Sequence, residues 1–279
     1  PEKWREFWQQ PARTYYFIGK DNIPFHTIIW PAMLMGYGDL NLPYDVPANE
    51  FITLEGRKVS TSQNWAVWIP DYLERYDPDP LRYILSINMP ETSDTDFSWR
   101  DFVRRNNDEL VATYGNLVHR VLTFTYRNYD AKVPEHGEFD EVDNALLDRT
   151  CHALNAAGED ISLCHFKEGI RKAMALAQEA NRYLEEKSPW KVIKESRAKA
   201  ATSLYVAISV INALKVIFYP YLPFSSRRLH QMLGFNDQIE DGGWQFAAVP
   251  VGQTLERPEA LFTKLEEKVA GEERSRLGT

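Results

Sequence analysis

The chain has 279 residues, of which 44% are hydrophobic and 26% are charged, and its formal net charge is -8. These values are ordinary for a soluble globular protein of about two domains. The acidic balance argues against a protein whose main role is to coat nucleic acid or anionic lipid. Cys151 and Cys164 are too few for a disulfide scaffold and favour a reducing, cytoplasmic setting. Polar residues interrupt the apolar stretch 204–221, so we expect a buried helix there and no membrane contact.

The first predicted element is a short strand. Tyr15-Tyr16-Phe17-Ile18 is a continuous apolar run that stops at Gly19, a pattern typical of a strand buried on both faces. A helix is predicted after it, because Pro24 suits a helix start and either glycine of the later G-Y-G can end one. Strand, glycine turn and helix make half of a βαβ unit, and ligands bind beyond the carboxyl end of such a strand. Gly19, Lys20 and Asp21 are therefore predicted to lie beside a ligand.

A polar loop follows the second predicted strand. Residues 49–54 alternate in the manner of a strand, and Glu55-Gly56 turns the chain into Arg57-Lys58-Val59-Ser60-Thr61-Ser62. Cations and hydroxyls after a tight turn donate to anionic oxygens, so this loop suits phosphate binding. The alternative is an exposed loop without a ligand, because short motifs of this kind have many false matches. The prolines of residues 77–80 predict a helix over 81–87.

Long helical periods dominate after residue 104. Apolar stripes predict helices through residues 110–122, 166–184 and 204–218. The third is apolar all round, as expected of a helix in the middle of a bundle. A charged helix is expected near residues 258–273.

Three further sites combine residue types that could bind a ligand. His26 and Trp30 are four residues apart and share a helix face, where they could floor an apolar pocket or simply pack in the core. Asn116 and Arg120 face away from the apolar stripe, where they could read base edges or do nothing specific. Pro189-Trp190 lies at a predicted turn between helices, where the indole could stack on an unpaired base or fold back between two helices.

No metal site is predicted. Cys151-His152 and Cys164-His165 lack the two-to-four-residue cysteine spacing of a zinc knuckle, and adjacent helix residues diverge by about 100°. The sequence also shows no Ser/His/Asp triad and no Walker loop.

The order of these motifs resembles that of the methionyl-tRNA synthetase family over nearly the whole chain. Residues 17–32 contain F-I-G-K-D, F-H and W-P-A, which are similar to that family's F-I-G-K-D...F-H...W-P-A. K-V-S-T-S at residues 58–62 resembles the class I signature K-M-S-K-S. The family's later segments are matched by D-P-L-R-Y at 79–83, G-N-L-V-H-R at 115–120, S-P-W at 188–190 and L-F-T-K-L at 261–265.

The resemblance implies a mostly α fold with an α/β part. It implies the second half of a Rossmann catalytic domain over 1–54, a connecting module with the signature loop over 55–103, and a helical anticodon-binding bundle over 104–279. The implied activity is that of a class I ligase, which activates L-methionine with ATP and Mg²⁺ and esterifies methionine tRNAs. No zinc is implied for this chain, because the family's connective insertion with knuckle cysteines is missing.

The resemblance also implies roles for individual residues. ATP would be bound by Gly19, Asp21, Phe51, Ile52 and Lys58. Methionine would be bound by His26 and Trp30. The mobile catalytic loop over the phosphates would contain Lys58, Ser60, Thr61 and Ser62. The CAU anticodon would be read by Asn116, Arg120, Pro189 and Trp190.

The chain departs from the family pattern in two ways. In the loop, Val59 replaces Met and Thr61 replaces the second Lys, so a hydroxyl stands where the family has an ammonium. The larger departure is that no histidine of the chain fits the class I motif H-x-G-H. The chain therefore resembles the C-terminal half of the enzyme, either excised or one chain of a split protein. We expect it to need the missing N-terminal half to form methionyl-adenylate.

Three alternatives to a methionine-specific ligase stay open at this point. One is another class I synthetase with a similar bundle, specific for valine, isoleucine, leucine or cysteine. The second is a tRNA-binding module without catalysis, which the missing H-x-G-H favours for the isolated chain. The third is a fragment that folds and binds no ligand measurably.

Overall fold

The computed structural model describes residues 2–278. Its first part is a small α/β unit, in which strand β1 (Ile18–Gly19) pairs in parallel with β2 (Ala48–Asn49). Helix α1 (Arg5–Trp8) precedes this pair. The connection between the strands contains helical segments of three kinds: a 3₁₀ turn Lys20–Asn22, a π-helix Phe25–Ile29 and the α-helix α2, Trp30–Tyr37.

The first strand is shorter and more exposed than predicted. Of the run 15–18 only Ile18 lies in β1, and Tyr15 and Phe17 are 38% and 53% exposed. The prediction of a strand buried on both faces is wrong, because exposure alternates along residues 15–18 and one face of the strand is left open. The predicted helix end is confirmed at Gly38, whose φ of +86° lies in the region that favours glycine.

A second, mixed sheet carries the signature loop. Its central strand β3 (Ile52–Leu54) pairs antiparallel with β4 (Arg57–Lys58) and parallel with β5 (Thr95–Phe97). Glu55 and Gly56 join β3 to β4 with φ values of +51° and +72°, the two positive φ angles of a type I′ hairpin. The sheet thus extends across the predicted division at residue 54, and the division itself stays a prediction.

Helices α3 (Ile69–Leu73), α4 (Pro78–Ile87) and α5 (Trp99–Arg105) surround this sheet. They enclose an aromatic cluster whose buried rings belong to Tyr72, Phe97, Trp99 and Phe102. The last helix, α12 (Lys268–Ser275), returns from the far end of the chain and packs on α5. The charged helix predicted near 258–273 therefore begins later than expected, since residues 258–267 are not helical.

The bundle begins with a π-helix, Asn106–Gly115, that continues directly into α6 (Asn116–Asn128). Its remaining helices are α7 (Glu141–Ser162), α8 (Phe166–Lys187), α9 (Pro189–Val192), α10 (Arg197–Phe218), α11 (Pro223–Met232) and a 3₁₀ turn, Ile239–Gly242. The prediction of a central helix is confirmed, because α10 packs against both α7 and α8. Among residues 2–278, α10 is the helix with the length and hydropathy of a membrane span, and 94% of that apolar window is buried inside the protein.

The D-P-L-R-Y segment joins the connecting module to the bundle. The buried Asp79 carboxylate accepts a hydrogen bond from the backbone N–H of Ser225 (2.6 Å) in the first turn of α11. Arg82 donates through Nε to the carbonyl of Tyr221 (2.7 Å) and through Nη2 to that of Pro220 (2.8 Å). One turn of α4 therefore satisfies backbone groups on both sides of the corner between α10 and α11.

Candidate functional site

The Asp21 side chain folds back over Gly19 in the turn after β1. A Cβ atom on Gly19 would lie 2.9 Å from Oδ1 of Asp21, so a larger residue there would displace that carboxylate. The Asp21 carboxylate therefore lies directly over Gly19, at the carboxyl end of β1, as the sequence predicted for a ligand position.

Lys20 binds two acidic residues beside the predicted adenine site. Its Nζ contacts Glu50, and it lies 2.9 Å from Oδ1 of Asp94. The same Asp94 oxygen accepts the backbone N–H of Phe51 (2.9 Å), and Lys20 Nζ lies 4.4 Å from the centroid of the Phe51 ring. Hydrogen bonds to Glu50 and then Asp94 raise the pKa of Lys20, and the bond from Lys20 lowers the pKa of Asp94. This cluster brings the turn after β1 and the start of β3 together.

Phe51 and Ile52 are both exposed, at 49% and 36% of their surface. They face outward from an edge that lies next to Lys20, so an aromatic ring and a branched side chain are available to a planar ligand there. The structure thus brings Phe51 close to the Gly19–Asp21 turn.

His26 and Trp30 are brought together by Tyr16, a residue that the sequence reasoning did not single out. Trp30 Nε1 donates to the Tyr16 hydroxyl (2.9 Å), and the rings of His26 and Tyr16 are 5.8 Å apart. His26 Nδ1 lies 3.1 Å from the carbonyl of Asn22. The sequence left two alternatives for these side chains, the floor of a pocket or packing in the core. Both side chains are half-buried, so they pack on Tyr16 and also keep part of their surface open.

The signature loop is closed at its base by Trp65. Ser60 and Trp65 exchange backbone hydrogen bonds of 2.9 and 2.8 Å, and Trp65 Nε1 donates to the carbonyl of Leu54 (2.8 Å). The Arg57 guanidinium lies 4.0 Å from the centroid of the Trp65 ring. Hydrogen bonds and the stacked guanidinium therefore fix the two ends of the loop.

The polar side chains of the loop face solvent. Lys58, Thr61 and Ser62 are exposed, and Lys58 forms no ion pair with another residue in the range 2–278. The hydroxyls of Ser60 and Ser62 lie 3.3 Å apart, with either able to donate. An unpaired ammonium beside two adjacent hydroxyls is a donor set that an anionic oxygen can accept from.

Arg120 lies over the ring of Trp190. Its Cζ is 4.5 Å from the ring centroid, within the range of a cation–π contact. Nε and Nη2 of Arg120 are buried from solvent and have no acceptor among the described residues. Trp190 also meets Phe124 edge to face, with 6.5 Å between ring centroids. The indole therefore packs against α6 on one edge and is covered by a guanidinium with two unsatisfied donors, a state that costs free energy.

Asn116 and Pro189 differ from Arg120 and Trp190 in their surroundings. Asn116 is exposed at the first position of α6, as its place outside the apolar stripe predicted. Arg120 was expected to point outward as well, but it is half-buried because α9 packs over that face. Pro189 is buried at the start of α9, after Ser188 turns the chain with a φ of +41°. Pro189 thus orients the neighbouring indole rather than offering a surface of its own.

Sequence reasoning missed the residues that complete these clusters. Glu50 and Asp94 are 30 and 74 residues from Lys20, and no local pattern could link them to it. Phe124 had a usable signal, because it follows Arg120 by four residues on the same helix. Within residues 2–278 no three His, Cys, Asp or Glu side chains gather as a metal site requires.

Comparison with known proteins defines the class. The family model of class I tRNA synthetases (M) matches residues 1–122, and the model of the anticodon-binding domain of methionyl tRNA ligase matches residues 133–279. The two small sheets, of which the second carries the signature loop, and the helical bundle are thus parts of a class I aminoacyl-tRNA synthetase.

Curated relatives with high sequence identity indicate the family within this class. The methionine–tRNA ligase of Dehalococcoides mccartyi is 60% identical over 278 residues, which are 100% of this chain and 50% of that protein. That of Thermomicrobium roseum is 50% identical and covers 99% of this chain and 52% of its own length. The chain belongs to the methionine–tRNA ligase family, and it spans about half the length of these curated relatives.

Solved structures of methionyl-tRNA synthetases have a fold similar to that of this chain. Methionyl-tRNA synthetase of Mycobacterium tuberculosis in its free state superposes with a TM-score of 0.83 at 28% identity, over 95% of this chain and 52% of that one. The same enzyme bound by methionyl-adenylate gives a TM-score of 0.84 at 28% identity, over 94% and 52%.

Proposed function

We propose that this chain supplies the signature loop and the anticodon-reading bundle of a methionine–tRNA ligase. The whole enzyme would join L-methionine to methionine tRNAs with Mg²⁺-ATP as the second substrate. The observation that carries the proposal is the Arg120–Trp190 pair, in which buried guanidinium donors without an acceptor lie beside an indole at a helix junction. Such a pair suits an unpaired base, because bases stack on aromatic or guanidinium planes and accept hydrogen bonds along their edges.

We assign CAU recognition to Asn116, Arg120 and Trp190, with Pro189 orienting the indole. Asn116 and Arg120 are four residues apart at the start of α6, so an amide and a guanidinium can reach base edges from one helix face. The segment 187–199 around Trp190 contains five basic residues and one acidic residue, although the whole chain is acidic. This local positive charge would attract the phosphates of an RNA loop.

We assign the ATP phosphates to the loop of Lys58, Ser60, Thr61 and Ser62. In the reaction the methionine carboxylate attacks the α-phosphorus of ATP, and pyrophosphate leaves. Charge grows on the leaving phosphates, and an exposed ammonium with adjacent hydroxyls stabilises it by electrostatics. The reaction needs positioning and charge stabilisation rather than an acid or base.

The remaining assignments concern the small ligands. Gly19 and Asp21 would bind the ATP ribose, at the carboxyl end of β1. Phe51 and Ile52 would lie against the adenine, on the exposed edge beside Lys20. We assign the methionine side chain to His26 and Trp30, whose half-buried rings share Tyr16 as a neighbour.

An essential partner of this chain would be the amino-terminal half of the catalytic domain, because the chain has no H-x-G-H motif. The isolated chain is therefore expected to bind methionine tRNA and to form no methionyl-adenylate. The two cysteines are unpaired, which supports a cytoplasmic setting for the enzyme.

Substitution of Trp190 tests the proposal. Removal of a stacking aromatic costs about 1–3 kcal/mol, which is about 5- to 150-fold in affinity. We expect Trp190→Ala to weaken binding of a CAU anticodon stem-loop by that factor, measured by fluorescence titration at a stated salt concentration. Trp4→Ala is the matched control, since Trp4 is 42% exposed in the first turn of the chain. A loss below twofold in Trp190→Ala would assign the indole a purely structural role.

A further inference from the structure

A second arginine lies over an aromatic ring at the far end of α6. Cζ of Arg197, the first residue of α10, is 4.5 Å from the centroid of the Tyr129 ring, the same distance as between Arg120 and Trp190. The Tyr129 hydroxyl donates to the carbonyl of Arg197 (2.9 Å), and Arg197 Nη2 donates to the carbonyl of Asn128. The guanidinium therefore lies over the ring and is held there by its bond to Asn128, while the tyrosine hydroxyl ties the ring to the Arg197 backbone.

The two arginine–aromatic pairs contact residues spaced along α6. Arg120, Phe124 and Asn128 are four residues apart in sequence, and Arg197 donates to the Asn128 carbonyl at the second pair. Phe124 touches Trp190 at the first pair, and the Asn128 amide donates to the carbonyl of Phe124 (2.8 Å) next to the second. From residue 120 to residue 129 the helix rises about 13 Å, several times the roughly 3.4 Å between stacked bases. The two pairs are therefore too far apart to serve one base, and each can serve a different nucleotide of one strand.

The exposed side of the second pair is open and positive. Arg197 is exposed, while Tyr129 is half-buried and packs its other side against the bundle core. Lys191, Lys194 and Lys199 are exposed beside it, and none of them forms an ion pair with a residue in the range 2–278. Glu195 is the acidic residue of this segment, and the exposed Asp130 directly follows Tyr129, so basic residues outnumber acidic ones around the pair. A phosphodiester that approaches the pair would therefore meet several unpaired cations.

We infer that Tyr129 and Arg197 form a second RNA subsite, which takes a nucleotide of the anticodon loop outside the CAU triplet. The outer face of the Arg197 guanidinium, backed by the Tyr129 ring, stacks on the unpaired base, and its remaining N–H donors reach the adjoining phosphate. This inference rests on the proposed anticodon function and extends the bound strand beyond Trp190. The subsite contributes affinity and register to the complex, while the discrimination of CAU stays with the first pair.

The test uses the intact chain and stem-loops of methionine tRNA. Arg197→Met removes both the charge and the plane, and we expect it to weaken binding at least fivefold, the low end of what one stacked base contributes. Arg197→Lys keeps the charge without the planar face, and it is expected to lose affinity while it keeps the salt dependence. Lys3→Met is the control for charge, because it removes one exposed ammonium outside the helical bundle. It is expected to change affinity less than twofold.

Abasic substitution at each position of the RNA loop then locates the nucleotide. One abasic position outside CAU is expected to weaken binding to the wild-type chain and to have no further effect on Arg197→Met. Unchanged unfolding midpoints and circular dichroism show that the variants keep their fold.

The outcomes separate the two proposals. CAU-dependent binding that Arg197→Met and Lys3→Met reduce equally overturns the second subsite and leaves the anticodon function standing. Coupling of Arg197 to a base of the CAU triplet also overturns the assignment. A wild-type chain that binds CAU and altered stem-loops equally removes both proposals.

Discussion

The buried carboxylate of Glu273 is the contact through which the end of the chain holds the signature-loop module. Glu273 is 3% exposed in α12, and Arg75 donates to its two oxygens at 2.8 and 2.9 Å. The hydroxyl of Tyr76 donates to it as well (2.9 Å). Three residues beyond α12, the N–H of Gly278 donates to the carbonyl of Asn64 (3.0 Å), at the base of the loop. Loss of the Glu273 contacts should therefore release α12 from this surface.

The size of the effect follows from burial. Breaking a buried ion pair by removing one partner costs about 3–5 kcal/mol. The Arg75 side chain is 29% exposed and can recover water, so we expect a smaller cost, about 2–3 kcal/mol, for Glu273→Gln. That range corresponds to an increase of about 30- to 150-fold in the opening equilibrium of α12.

Amide hydrogen exchange measures this opening residue by residue. The amides of α12 are expected to exchange about 30- to 150-fold faster in Glu273→Gln, and those of the central helix α10 are expected to be unchanged. Glu272→Gln is the matched control, because it makes the same charge change at an exposed position of the same helix. Equal exchange in the two variants would refute the assignment of α12 docking to the Glu273 carboxylate.

Three further predictions concern separate parts of the chain. Burial lowers the pKa of Lys215 from 10.5 to about 8. Between these two pH values the unfolded chain binds more protons than the folded one, so the free energy of unfolding rises with pH. From pH 8 to 10.5, denaturant titrations should show that the free energy of unfolding of the wild type increases by about 2–3 kcal/mol relative to that of Lys215→Met. Gly158→Ala would place its Cβ 2.5 Å from Nε1 of Trp244 and should lower the free energy of unfolding by about 1–3 kcal/mol, measured by urea titration. In a fusion to the amino-terminal half of the Dehalococcoides mccartyi ligase, Lys58→Met should slow pyrophosphate exchange by about 10²–10³, whereas the exposed Lys3→Met should not.

Local sequence signals predicted the elements that depend on local chemistry. The all-round apolar pattern of α10 indicated its central place, and the glycine at position 38 marked the end of α2. The Glu55-Gly56 turn indicated where the signature loop begins, because a hairpin of two positive φ angles is set by its own two residues.

Contacts between distant segments could not be predicted in this way. Lys20 meets Asp94 across 74 residues, and Arg75 meets Glu273 across 198 residues. The half-burial of Arg120 has the same origin, because a helical wheel of α6 contains no information about α9 packing over it. The prediction of a buried strand at 15–18 was wrong for a related reason. Its apolar composition indicated burial, but burial of a strand depends on the segments that pack on its two faces, and one face is open here.

One of the sequence motifs has a structural role that the sequence alone did not indicate. D-P-L-R-Y had no assigned role at the level of sequence, and the structure gives it one in holding the corner between α10 and α11 through Asp79 and Arg82. The roles of the ATP, methionine and anticodon residues stay predictions.

The most direct measurement titrates the pure chain with a methionine tRNA anticodon stem-loop and with the same stem-loop in which one base of CAU is changed. The account predicts binding to CAU that is about tenfold or more tighter, because loss of one specific base contact costs about 1–3 kcal/mol. Equal affinity for the two stem-loops at the same salt concentration would contradict it, and would mean that Arg120 and Trp190 pack together for the stability of the bundle alone.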